Sequence, residues 1–302
     1  MANAVSGKSP VAGIGAAVVA VLLLAACTSP PPSADERAED SVGSTPDASE
    51  APVLTGTDIG DWIRDTEWSF AGRGIEEPFT IAFKDGQASD DHMRTYEIGV
   101  GVGVESDANG DGIVDLAVPV SQLDGNGFQE LWYIWLGNAD DVEPVARQVI
   151  YPIARTTRCG DVVQSVNATE DGFTIDQMLW MPHTDQDRDC ADGGSGHQTR
   201  EVTVIDVDGV AFPMQTSPVE AWGGVCPRSD WLDGILDDTI TARAAPPASA
   251  PQVISPGELV GLYELAPAPL LTSDGVRFFG FQADATSTTT DGDQVRMHCA
   301  FG

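Results

Sequence analysis

Ile113-Val114-Asp115-Leu116-Ala117-Val118-Pro119-Val120 and Gln129-Glu130-Leu131-Trp132-Tyr133-Ile134-Trp135-Leu136 are two apolar runs separated by Asp124-Gly125-Asn126-Gly127. Runs of this length and β-branched or aromatic content, joined by Gly and Asn, read as a β-hairpin. Alternation places Trp132 and Ile134 on one face of the second strand and Tyr133 and Trp135 on the other, so the rings read as core. The same grammar recurs at 79–83, 94–104, 147–151, 172–175 and 201–207. Asp85-Gly86, Asp171-Gly172 and Asp208-Gly209 stand at the ends of such runs, where a turn needs positive φ. The fold class expected is mainly β, an antiparallel sheet or meander with a few short helices.

Helix signals are sparse. Thr57 is placed to cap a helix carrying Ile59, Trp62 and Ile63, and Ser229 one carrying Trp231, Leu232, Ile235, Leu236 and Ile240. An Ala/Pro linker at 244–251 follows, and Ser255-Pro256-Gly257-Glu258 reads as a capping-box start. The last runs, 276–282 and 294–301, are expected to pair as a C-terminal hairpin.

Formal net charge is -32 in 302 residues, and only Lys8 and Lys84 among the 15 basic residues are lysine. A body this acidic repels nucleic acid and anionic headgroups. No Cys-x-x-Cys, His-Glu-x-x-His, P-loop or post-strand Gly-x-Gly-x-x-Gly occurs. Ser195, in Gly193-Gly194-Ser195-Gly196-His197, lacks the spacing of a nucleophile elbow and reads as a flexible loop. Paired carboxylates of a glycan hydrolase would have to be picked from 47 acids, too many for any pair to stand out. Trp132, Tyr133, Trp135, Trp180 and Trp222 offer a sugar-stacking face only if they escape the core.

The chemistry-bearing stretch is Asp107-Ala108-Asn109-Gly110-Asp111-Gly112-Ile113-Val114-Asp115, leading into Leu116-Ala117-Val118. Oxygen side chains fall at positions one, three, five and nine, Gly112 permits a sharp turn, and the Ile113 carbonyl supplies position seven. Calcium takes six to eight hard oxygen ligands at about 2.4 Å, and such a loop provides them. An EF-hand needs an acid at position twelve, which is Val118 here, and flanking helices where this chain has strands. The loop resembles those of FG-GAP and VCBS repeats, which join two strands and end in Asp-Leu-Ala-Val. That resemblance, over about a dozen residues, implies Asp107, Asn109, Asp111, Ile113 and Asp115 as calcium ligands. The alternative is an Asx-type turn closed by side-chain to backbone hydrogen bonds.

An echo at Gln122-Leu123-Asp124-Gly125-Asn126-Gly127 starts fifteen residues later, with Gln where the pattern has Asp. Propeller blades repeat at several tens of residues, so a propeller is not supported, and the echo reads as a hairpin turn, with a second, weaker cation site as the alternative. Asp185-Gln186-Asp187-Arg188-Asp189-Cys190 puts cysteine at position six and reads as a solvated acidic loop. His183, Asp185 and His197 are a candidate transition-metal set, against chance placement of four scattered histidines.

Lys8 precedes an apolar stretch from about Val11 to Leu24 that ends in Leu24-Ala25-Ala26-Cys27. The stretch is shorter than the roughly 20 residues a spanning helix requires. It resembles a bacterial lipobox, which implies that residues 1–26 are a signal peptide and that Cys27 becomes the diacylglyceryl-modified first residue. Loss of Lys8 then leaves the mature chain one unit more negative, at -33. Two acyl chains suffice for stable anchoring. Residues 27–52, rich in Pro, Ser, Ala and acids, are expected to be a disordered tether. Residues 53–216 form the β-rich body, and 217–302 hold the helical segment, linker and hairpin.

Export to an oxidising compartment leaves Cys159, Cys190, Cys226 and Cys299 to form two disulfides. Three connectivities exist. Breaks in composition favour Cys159 with Cys190, and Cys226 with Cys299 stapling the tail to the body. The Asp/Gly loop, the Val-Pro-Val run and the aromatic strand together resemble secreted lipoproteins of high-GC Gram-positive bacteria, a likeness that carries no activity. The chain is thus expected to be an extracytoplasmic, lipid-anchored binding or structural module, non-enzymatic, with a glycan or protein partner. A glycan hydrolase of the envelope and a protein-interaction module are the competing readings.

Overall fold

The computed structural model describes residues 53–70, 79–139, 143–180, 184–207, 209–218, 243–245, 247, 249–252, 259–264, 278–283 and 297–301. The expected leader, the tether with Cys27, Cys226, His183 and the Ser229 helix lie outside the described residues.

The hairpin read from the sequence is the centre of the molecule. β6 (Asp115–Asp124) and β7 (Gly127–Gly137) pair antiparallel from Leu116↔Trp135 to Asp124↔Gly127. Gly125 at φ 56 supplies the positive φ of their two-residue turn. The remaining strands of this seven-stranded sheet are β3 (Gln87–Ser89), β4 (Thr95–Ile98), β5 (Val104–Ser106), β8 (Ala146–Gln148) and β9 (Ala154–Thr157). β4 and β5 both pair with β6, and β8 and β9 both pair with β7.

Both faces of the central hairpin are covered. On one, Leu116, Val118, Val120, Tyr133 and Trp135 pack with Tyr96 and Ile98 against helix α1 (Gly56–Ile63) and the hairpin β1 (Glu67–Phe70)/β2 (Phe79–Ala82). α1 contributes Ile59 and Ile63, one turn apart, and Trp68 of β1 donates its Nε1–H to the Ile63 carbonyl at 3.0 Å. Gln148 clamps β1 to β8 by accepting from Ser69 N–H and donating to Ser69 O. On the other face, Ala117, Trp132, Ile134 and Leu136 meet Phe173, Ile175, Val202 and Val204. Those come from a four-stranded meander of β10 (Val162–Thr169), β11 (Gly172–Leu179), β12 (Gly196–Val207) and β13 (Val210–Ser217). The architecture is mainly antiparallel β, open rather than closed into a propeller.

Several boundaries differ from the sequence reading. The run at 94–104 is broken by a 3₁₀ turn, Val100–Val102, between β4 and β5. Gly99, Gly101 and Gly103 weaken the strand there, and Pro119 of β6 faces the break. The Pro119 carbonyl accepts from Gly99 N–H at 2.8 Å on that side, so the ring nitrogen points where no ladder bond is required. The helix cap is Thr55, two residues before Thr57, with a full capping box to Asp58. The run at 147–151 is strand only through Gln148.

The Ala/Pro stretch is not an open linker. Arg243 bridges to Gln252, Ala244 N–H donates to Pro251 O, and Ala244 and Ala245 are buried. β15 (Phe278–Ala283) and β16 (Met297–Phe301) form the expected C-terminal hairpin. Its inner strand also pairs with β14 (Leu259–Glu264), the strand that takes the place of a helix after Glu258. Cys159 and Cys190 are disulfide-bonded, as the composition breaks suggested. Cys299 lies in β16, and its expected partner Cys226 is outside the described residues.

Candidate metal-binding loop

The loop at 107–115 connects β5 to β6 and is built on hydrogen bonds from its own backbone. Asp107 Oδ1 accepts from the N–H groups of Gly110 (2.8 Å) and Asp111 (3.1 Å), and its Oδ2 from Gly112 N–H (2.8 Å). Asn109 Oδ1 accepts from Asp111 N–H, and Asp111 Oδ1 accepts from Ile113 N–H at 2.8 Å. Asn109 also donates its amide to Asp111 Oδ2. Gly110 and Gly112 carry φ values of 73° and 84°, the left-handed conformation that favours glycine and allows positions one, three and five to converge.

Asp115 differs from the other acids. It is fully buried, its Oδ2 accepts Ala108 N–H at 2.7 Å, and its Oδ1 accepts Gly137 N–H at 3.0 Å. Ala108 in turn accepts at its carbonyl from Val204 N–H (2.7 Å) and Thr203 Oγ1 (2.6 Å) of β12. The base of the loop therefore ties the seven-stranded sheet to the meander. Burial pushes the Asp115 carboxyl up to about 7 against the pull of its two N–H donors, and the charges of Asp111 and Asp107 add to the rise.

The donor set suits a hard divalent cation. Asp107, Asn109 and Asp111 gather side-chain oxygens on an exposed turn, and Asp107 Oδ2 and Asp111 Oδ1, each accepting one backbone N–H, keep a lone pair for a metal. Asp115 lies at the base with both oxygens on backbone N–H groups. Among the described residues, no group of three or more His, Cys, Asp or Glu side chains meets the spacing of a metal centre by itself. Any cation here would depend on the Asn109 amide, a backbone carbonyl such as that of Ile113, and water.

The other sequence candidates resolve differently. The echo at 122–127 is the β6–β7 turn, with Gln122 buried and its amide oxygen accepting from Gln129. In the third cluster Asp187, Asp189 and Asp192 are exposed, but Asp185 is fully buried and accepts from Ser195 N–H at 2.9 Å. The solvated-loop reading therefore fails at Asp185, which is the loop's internal brace. His197 pairs with Asp176 at 2.5 Å, and its partner in the proposed metal set, His183, is outside the described residues. Trp132 and Trp135 are buried in opposite cores and offer no sugar-stacking face.

Sequence reasoning missed an open hollow of about 460 Å³ over β3, β4 and β6. Ala88 and Tyr96 border it, and the rest of its lining, Gln87, Ser89, Thr95, Glu97, Ser121 and Leu123, comes from alternate positions of β3, β4 and β6, a pattern visible only once their register is known. No family model, curated protein or solved structure matches this chain.

Proposed function

We propose that the chain is an extracytoplasmic lipoprotein, held at the membrane through lipidated Cys27, whose β body is a non-enzymatic binding or structural module braced by calcium. The observation that carries the calcium reading is the Asp107/Asn109/Asp111 turn stacked on the buried Asp115, at the junction of two sheets. Asp107, Asn109, Asp111 and the Ile113 carbonyl would hold the ion, with Asp115 at the base. Calcium would supply charge neutralisation among three neighbouring carboxylates and rigidity to the inter-sheet junction. The same residue does not serve the hydrolase alternative as a general acid. Its carboxyl is raised toward neutrality, yet it is buried with both oxygens on backbone N–H groups, where no glycosidic oxygen can reach it.

Thermal unfolding with calcium or chelator, on wild type and Asp111→Ala, tests the loop. At a site of extracellular type, with a dissociation constant near about 0.1–1 mM, a hundredfold excess of calcium adds about 2.7 kcal/mol. A rise in Tm abolished by Asp111→Ala supports the reading, and no shift in either protein refutes it. Palmitate labelling lost in Cys27→Ala tests the anchor.

A further inference from the structure

We propose that the hollow over β3, β4 and β6 is a binding site for a neutral glycan, a ligand assignment that rests on the binding-module reading but not on calcium. On this side the central sheet meets the meander along Ala117, Trp132, Ile134 and Leu136. Among the described residues nothing packs over the two cross-strand rows beyond them, Gln87–Glu97–Ser121 and Ser89–Thr95–Leu123, which line the hollow.

Among the described residues, the side chains of Gln87, Ser89, Thr95 and Glu97 make no intramolecular hydrogen bond, although Asp90 in the adjoining turn is bonded to His92, Arg94 and Tyr96. All four line one concavity. Its volume of about 460 Å³ falls in the range of roughly 300–1,000 Å³ typical of small-molecule sites.

The chemistry of the lining selects the ligand. Among the described residues no lysine or arginine lines the hollow and Glu97 does, a lining that repels phosphate-bearing and carboxylate-bearing ligands. An amide, hydroxyls and one carboxylate match the vicinal hydroxyls of a pyranose, since a carboxylate can accept from two at once. Leu123 and its cross-strand neighbour Phe128, 51% and 37% exposed, give an apolar rim for the C–H face of a sugar ring.

The test is isothermal titration calorimetry on the mature protein in a non-glycosidic detergent. The probes are N-acetylchitotetraose, cellotetraose and maltotetraose, each run with and without calcium. The expected result is saturable binding of at least one, weakened about tenfold or more by Glu97→Ala, as loss of a charge-assisted hydrogen bond implies. Thr95→Ala should weaken it too, while Asp192→Ala, in the separate 184–195 loop, should leave it unchanged. Tm of each variant is measured alongside, and a variant with altered Tm is replaced by Ser89→Ala. Absence of saturable binding to all three probes, or binding indifferent to Glu97 and Thr95, overturns the proposal. Neither outcome depends on the calcium shift, so the two readings fail separately.

Discussion

The Asp115 carboxylate accepts the Ala108 N–H at 2.7 Å across the neck of the loop, while its other oxygen holds Gly137 N–H at the far end of β7. One buried side chain thus satisfies two backbone donors from different segments. Removing it leaves both donors buried without a partner, each at a cost of about 1–3 kcal/mol. Asp115→Ala should destabilise by about 2–6 kcal/mol on that basis, and Asp115→Asn by less, because the amide keeps one acceptor. Urea unfolding in the presence of chelator measures both. Equal, small losses for the two variants would show that Asp115 is not the brace.

The same residue sets a pH dependence. Its folded pKa, about 7, lies above the ordinary carboxylate value of 3.8. Between these values the native state binds more protons than the unfolded state, so this group makes stability fall as pH rises from about 4 to about 7. Asp90 acts in the opposite direction. Burial pushes its carboxyl up, but donors from the Arg94 guanidinium and backbone, the Tyr96 hydroxyl and His92 N–H outweigh that and hold it below 3.8. Its contribution is present above pH 3.8 and is lost as pH falls through the depressed value. Chelated wild type should therefore have a stability maximum on the acid side of neutrality. Asp115→Asn should flatten the limb toward pH 7, and Asp90→Asn the limb below pH 4. A chelated wild type that grows steadily more stable from pH 4 to 7 would contradict the Asp115 assignment.

What the sequence revealed of this fold follows from how strongly each segment is patterned. The β6–β7 hairpin was legible because both strands are apolar on both faces and Gly125-Asn126 marks the turn. β10 was not, because Gln164, Asn167 and Thr169 face solvent and leave Val166 as its one buried residue. β13 was hidden by Pro213, which an edge strand of the meander tolerates. The Asp/Asn/Gly turn was legible from spacing. That Asp115 would be a buried brace reaching Gly137 was not, because the contact spans 22 positions and depends on the β6–β7 register. Asp185 misled for the same reason, since its neighbours in sequence are exposed acids and only the fold brings Ser195 N–H to it.

The Cys159–Cys190 disulfide fastens the exposed loop before β12 to the turn between β9 and β10 across a sequence separation of 31. Loop-closure entropy for that length corresponds to roughly 3–4 kcal/mol. Cys159 also sits at φ 59, a left-handed conformation that an alanine adopts with strain. The double variant Cys159→Ala/Cys190→Ala should lose about 3–4 kcal/mol, and Cys159→Gly/Cys190→Ala about 1 kcal/mol less, because glycine accepts positive φ. Urea midpoints and m-values of the two double variants distinguish these outcomes. A glycine variant no more stable than the alanine variant would show that the backbone relaxes once the bridge is gone.

Gly137 joins the brace to the packing around it. A Cβ there would overlap the Val114 carbonyl oxygen and stand 2.9 Å from Leu54 Cδ2 and 3.0 Å from Ile113 Cγ2. The carbonyl belongs to the backbone entering β6, so it cannot swing aside as a flexible side chain would. Overpacking of this kind typically costs about 1–3 kcal/mol, and displacing the strand end would also lengthen the Gly137 N–H bond to Asp115. Gly137→Ala should therefore destabilise the protein and reduce any calcium-induced rise in Tm. Gly101→Ala is the control, since a Cβ there meets nothing within 4 Å. If Gly137→Ala unfolds like Gly101→Ala and keeps the full calcium response, the end of β7 is not part of the support beneath the loop.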